Sequence, residues 1–522
     1  MLRFSPVITF IAGLLLIVAI ACGSDATATP AASAPAQASS GEERVLKIAL
    51  TFLDEPPDPF QAGWLAMPTG ISQTLFRLNE NLKPEPWLAT GATQIDSVTW
   101  EITLREGVKF HNGALMNAEK VKGSLGLALL RRPGTRTLLD IKSVEVKDAN
   151  TVVLVTNSPK PTLPGLLTNQ NVSIADPETV PASVDESAAG AALTGPFKLV
   201  SFSADESMTV EAHADYWEGP PAVDRVDYVA FSDSNSRLLA LQSGDVDISV
   251  NLPPQGATIV DSDESLELRL ATPSSMNFLF VNHESPAMED VLVRQAISMA
   301  IDRQALVDSV AEGNAVAAPT MFPPGFLSCP SVNGYKYDPA AARSNLADAG
   351  YEDSNGDGIV EQDGEALELL MQTYPQQPLL PPMLVALQGM LKDIGVRSDV
   401  QIVDFSLASQ GGYDLFGYSN GTITTGDPHW ALSRQYLTGG DENRGNFSNS
   451  RVDDLIGKLS QVADPAQRQS AACEALQAGH DEVALIPVIF PNRLYGISNR
   501  VDWPVAPHPI QFYFIDHRIG LK

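Results

Sequence analysis

The chain has 522 residues, with 34 Lys+Arg against 63 Asp+Glu, a net charge of −29 and a pI near 4.5. That balance excludes a nucleic-acid binder, which needs basic surface to neutralise phosphates, and it disfavours docking on anionic lipid through a polybasic face. The length implies more than one folding unit, and 3 Cys are too few for a disulfide scaffold or a zinc ribbon.

Arg3 precedes an apolar run over 7–21 that is shorter than the roughly 20 residues a spanning helix needs, so 1–21 reads as a signal peptide. The run ends in Ala19-Ile20-Ala21-Cys22, which resembles a bacterial lipobox with Ala where Leu is more usual. Cys22 is then the lipidation site, and 22–44, built from Ala, Ser, Thr and Pro, is a disordered tether. The expected location is the outer face of the cell membrane, held by lipid, on the periplasmic or external side.

Beyond the tether, 45–53 is an apolar strand. Trp100, Ile102 and Leu104 alternate with polar residues as in a half-buried strand. Asn117 can cap a helix carrying Val121, Leu125 and Leu129. The segments 143–146 and 152–155 read as a hairpin, as do 197–203 and 208–212. A short helix at 236–242 ends near Gly244, and 290–311 reads as one strong helix. Asp338-Pro339 starts a helix that Gly350 ends, and a helix at 382–394 feeds a strand at 396–403.

Several of these segments carry a resemblance. The block 100–121 (WEITLREGVKFHNGALMNAEKV), together with 215–247, 280–303, 337–350, GDPHW at 426–430 and FSNSRVDDLI at 447–456, is similar in order to the family 5 solute-binding proteins of ABC importers, which serve peptide, nickel and related systems. The resemblance implies an α/β, two-lobed, periplasmic-binding-protein-like clamshell (type II, large peptide-binding cluster). Lobe one would be 45–272 plus 488–522 with an inserted subdomain near 85–190, and lobe two 273–487. It implies a monomer that captures a solute, a peptide first, with a nickel chelate, haem or saccharide as alternatives, and delivers it to ABC permease subunits. No cofactor and no catalytic set are expected.

The resemblance also implies site residues. The peptide binders of the family hold the ligand ammonium with an Asp in the matching GDP segment, here Asp427; as Asp-Pro, the same residue is also suited to cap the helix beginning at Pro428. Trp430, Tyr418, Asn420, Trp64 and Tyr374 are candidates to line the cavity, and His429 to ligate a metal complex, as nickel-binding relatives use a His in this lobe. The run 417–421 (GYSNG) matches the G-x-S-x-G nucleophile elbow, which would make Ser419 the nucleophile of a secreted hydrolase. The elbow needs a following helix, however, and Thr422–Pro428 is β-branched and broken by Gly and Pro. Asp353, Asn355 and Asp357 with Gly358 resemble the first half of a calcium loop, but position 12 is Gly364 instead of Glu, so a solvated turn competes with calcium. Cys329 and Cys473 both fall in the second lobe, and spacing leaves their pairing open.

Overall fold

The computed structural model describes residues 43–522 apart from Thr272 and Ser409; the segment expected to be a signal peptide, Cys22 and the expected tether as far as residue 42 lie outside the described residues, whereas Arg44, expected in the disordered tether, is held by the Asp224 carboxylate at 2.8 Å. Three sheets organise the chain. The first is seven-stranded and centred on Val45–Leu50, which runs parallel to Arg225–Ala230 on one side and to Ile248–Val250 on the other. Hairpin Phe197–Ser203/Ser207–Ala212 extends one edge, and Arg493–Ser498 with Leu266–Ala271 the other. The second sheet has six strands, in the order Ala315–Ala317, Leu485–Pro491, Ser275–Val281, Leu415–Gly421, Glu368–Thr373, Arg397–Ile402. A four-stranded antiparallel sheet (Ala89–Gln94, Thr99–Leu104, Thr151–Thr156, Ile141–Asp148) lies within the segment expected to be inserted.

The chain leaves the first sheet after Ala271 and enters the second at Ser275; it returns between Pro491 and Arg493. The return therefore falls at Asn492 and not at 488. Residues Ile489–Pro491 are still paired with Ala315–Ala317, so the ladder holds them in the second sheet. The C-terminal segment is also shared: Ile510 and Phe512 pack on the core of the second sheet, whereas Phe514, Ile515 and Ile519 pack on that of the first.

Most local expectations follow from caps that form. Asn117 accepts from the Lys120 N–H and opens helix Ala118–Arg131; Asp338 accepts from Ala341 N–H and opens Pro339–Asp348. The expected single helix over 290–311 is instead two, Val291–Ala300 and Arg303–Ser309. Asp302 caps the second by accepting from Ala305 N–H. The buried Arg303 guanidinium donates to the carbonyls of Ser298, Ile301 and Pro487, satisfying the groups the break exposes. Cys329 and Cys473 form a disulfide with Cα atoms 5.4 Å apart, fixing the loop around Cys329 to helix Pro465–Asp481. Among the described residues no helix is long and apolar enough to cross a membrane.

Candidate functional site

A cavity of about 680 Å³ opens between residues of the first and third sheets' side (Trp64, Arg132, Lys160, Gln170) and residues within and after the second sheet's strand Leu415–Gly421. This volume suits a small solute, within the roughly 300–1,000 Å³ of ordinary ligand sites. Five of the seven ligand candidates line it: Trp64, Tyr418, Asn420, His429 and Trp430. Tyr418 and Asn420 do so together because alternate residues of a strand share a face. Ser419, on the other face, lines a smaller cavity of about 140 Å³ at the two strand crossings. Residues 417–421 are continuous strand and the next helix starts at Pro428, so the nucleophile elbow is not formed.

Tyr374 does not line the large cavity. It is 4% exposed, packs edge-on to Phe405 at 5.1 Å, and accepts the Ser419 N–H at 3.3 Å, supporting the strand from behind. Asp427 does not line it either. Its carboxylate caps helix Pro428–Gln435 by accepting His429 N–H at 2.9 Å, and both oxygens take a fork from Arg468 at 2.6 Å. A buried carboxylate already held by a guanidinium has no free charge to offer a ligand ammonium.

The aromatic walls are stiffened by cations. Arg434 lies over Trp430 at 4.7 Å and is held by Asp441 and Glu442; Arg444 lies over Tyr418 at 5.3 Å. Trp64 donates its indole N–H to Glu55 at 2.7 Å. His429 is half-buried and its ring makes no hydrogen bond with the described residues. Burial pulls its pKa down to about 4, with the nearby Asp427 pushing the other way, so the imidazole is neutral near pH 7.

Two further cations were not legible as site residues. Helix Ala118–Arg131 stops because Pro133 forces the residue before it out of helical geometry, and Arg132 is extended at φ −129°. This turn separates two neighbouring arginines. Arg131 spends its guanidinium on the carbonyls of Pro181, Ser183 and Glu186, whereas Arg132 faces the cavity and, among the described residues, donates only to the Gln61 carbonyl. Lys160, between Pro159 and Pro161, has its backbone anchored by Trp100, whose indole donates to its carbonyl at 3.2 Å. Neither Arg132 nor Lys160 forms an ion pair among the described residues, and burial lowers the pKa of both, with Arg434 adding to the effect at Arg132. The lining thus carries Arg132, Lys160 and Arg434 against Asp441 and Glu442, a net positive charge inside a strongly acidic protein.

The Asp353–Glu361 loop is a turn whose carboxylates bind its own backbone: Asp353 accepts from Gly356 and Gly358, Asp357 from Ile359, and the buried Glu361 from Ser354. The carboxylates of Asp353, Asp357 and Glu361 lie within 4.8 Å of one another.

Residues 83–443 match the bacterial extracellular solute-binding proteins, family 5, in their middle region. The chain belongs to this family. The nickel-binding protein NikA of Staphylococcus aureus is 26% identical over 93% of this chain and 95% of its own. The glutathione-binding protein GsiB of Salmonella typhi is 27% identical over 83% and 86%. The crystal structure of Staphylococcus aureus NikA in complex with Ni(L-His)2 superposes with a TM-score of 0.82 at 25% identity, covering 92% of this chain and all of that one. This family 5 protein is accordingly a two-lobed solute-binding protein of an ABC importer, working outside the cytoplasmic membrane, and its relatives are binding proteins.

Proposed function

We propose that this binding protein captures a small, carboxylate-bearing solute in the 680 Å³ cavity and passes it to the permease as a monomer. The observation that supports this reading most is the pair of half-buried cations on one wall, Arg132 and Lys160, neither in an ion pair among the described residues. An unpaired buried charge is costly, and a ligand carboxylate would relieve both while stacking between Trp64, Trp430 and Tyr418. A short peptide or glutathione supplies such a carboxylate, and its terminal amine would have to be met by a group other than Asp427. Calorimetric titration with glutathione, with a tetrapeptide and with its C-terminal amide tests the reading. Arg132→Ala should weaken the acids about ten- to a hundredfold, the loss of a charge-assisted hydrogen bond of roughly 1.5–3 kcal/mol. Equal affinity for acid and amide would reject it.

A second reading, a nickel chelate of an amino acid, is favoured by one observation: His429 offers a neutral, unpartnered imidazole to the same cavity. The cations would then hold the chelator's carboxylates. His429→Ala should abolish binding of Ni(II) in excess L-histidine and leave glutathione binding within about twofold; the reverse pattern removes the nickel reading.

Anchoring through Cys22 is part of the proposal, with the signal peptide at 1–21 removed. Its basis is the apolar run ending before Cys22 and the Ala/Ser/Pro-rich stretch that follows. Cys22→Ala should move the protein from the membrane to the soluble fraction, and retention at the membrane would contradict the anchor.

A further inference from the structure

Arg468 and Asp427 are 8% and 7% exposed, and neither lines the cavity. The Arg468 guanidinium gives Nε to Asp427 Oδ2 and Nη2 to Oδ1, both at 2.6 Å, and Nη1 to the carbonyls of Leu459 and Val462 at 2.7 and 2.9 Å. One side chain therefore joins three helices: the N-terminus of Pro428–Gln435, the C-terminal end of Ser450–Gln461, and its own, Pro465–Asp481. The first of these presents His429, Trp430 and Arg434 to the cavity, and the second presents Ile456 and Ser460. Helix Pro465–Asp481 is itself anchored by the Cys329–Cys473 disulfide and by Gln469, which donates to the Ser328 carbonyl at 2.7 Å.

The planar fork matters. Its donors point in fixed directions, so it sets both the distance and the rotation of the helix end it grips, which a lysine ammonium cannot do. The geometry points to Arg468 as a positioning residue for solute capture: without touching the solute, it fixes where His429, Trp430 and Arg434 stand in the cavity wall. The inference rests on the reading that this cavity is the solute site, and it adds a determinant of affinity behind the wall.

The chain has 6 Trp, so 5-fluorotryptophan labelling of the full protein yields a countable fluorine NMR spectrum, with Trp430→Phe assigning the resonance of interest. In Arg468→Met the Trp430 resonance should shift or broaden, while those of Trp87, Trp100, Trp217 and Trp503, outside the cavity, hold. Arg468→Lys should show the same change to a smaller extent. Should Arg468→Met not fold, Asp427→Asn serves: it keeps an oxygen for the His429 N–H, loses the charged pair, and should also displace Trp430. Glutathione affinity, measured well below the melting temperature, should fall about tenfold in these variants. A lower melting temperature with Trp430 and affinity unchanged would make the pair a structural brace only and overturn the inference. If glutathione does not bind the unsubstituted protein, the choice of solute is wrong, and the fluorine spectrum alone decides the positioning role.

Discussion

Replacing Cys329 and Cys473 together by Ala is expected to lower the unfolding free energy by about 2–5 kcal/mol. The bridge closes a loop of 144 residues, so its removal returns a large conformational entropy to the unfolded chain. The loss should concentrate in the second lobe. The bridge ties the loop at Ser328–Cys329 to helix Pro465–Asp481, whose Arg468 in turn holds the cavity helix. Urea unfolding of the double variant should show its midpoint well below that of the oxidised protein and coincident with that of the unsubstituted protein in dithiothreitol. Coincidence of the variant with the oxidised protein would mean that the bridge contributes nothing.

Acid is expected to destabilise the protein from about pH 6.5 downward. Burial lowers the pKa of His111 to about 3 and of His283 to about 4, and His429 behaves like His283; His213, His480 and His508 move in the same direction. A depressed folded pKa means that the unfolded chain takes up the proton more readily. The stabilisation is therefore complete above the unfolded value of about 6.5 and is lost as pH falls toward the folded values. At about 1.36 kcal/mol per unit, each of the three costs roughly 2 kcal/mol by pH 5.

The local chemistry at His111 shows the cause. Its Nε2–H donates to the Gly195 carbonyl at 3.1 Å, and its Nδ1 accepts the Leu193 N–H at 3.4 Å. Protonation would set two donors against each other at Nδ1, beside the His213 ring at 5.1 Å, which shares the same Gly195 acceptor. Thermal unfolding at pH 7.5, 6 and 5 should show a steep fall, flattened in His111→Asn. A melting temperature independent of pH over that range would refute the assignment.

The sequence was a good guide wherever a local rule and the tertiary structure agreed. Asn117 and Asp338 are caps because an Asx side chain reaches an N–H two or three residues on, whatever lies around it. It misled where the decisive group was distant. The segment 290–311 has helical periodicity throughout, but Arg303, reaching the Pro487 carbonyl, stabilises a break that local propensity does not foresee. The return to the first sheet is placed at Asn492 by ladder pairing with Ala315–Ala317, which is invisible in a single apolar run such as 485–491.

At the site, the aromatic candidates at 418, 430 and 64 reach the cavity, because strand alternation and the Asp-Pro helix start set their faces locally. Tyr374 has the same composition signal and turns into the core. Asp427 kept both of its sequence readings open until Arg468, 41 residues away, took the carboxylate. Of the adjacent Arg131 and Arg132, only the turn imposed by Pro133 and the carbonyls at 181–186 decide which is spent internally and which faces the cavity. The sequence by itself determined the family, the extracytoplasmic working place that family implies, and the run of caps and strands, because each depends on residues close in the chain or on ordered blocks. The tertiary structure alone decided the charge of the cavity. Whether a buried ion is free for a ligand depends on whether another side chain, far away in sequence, already pairs with it.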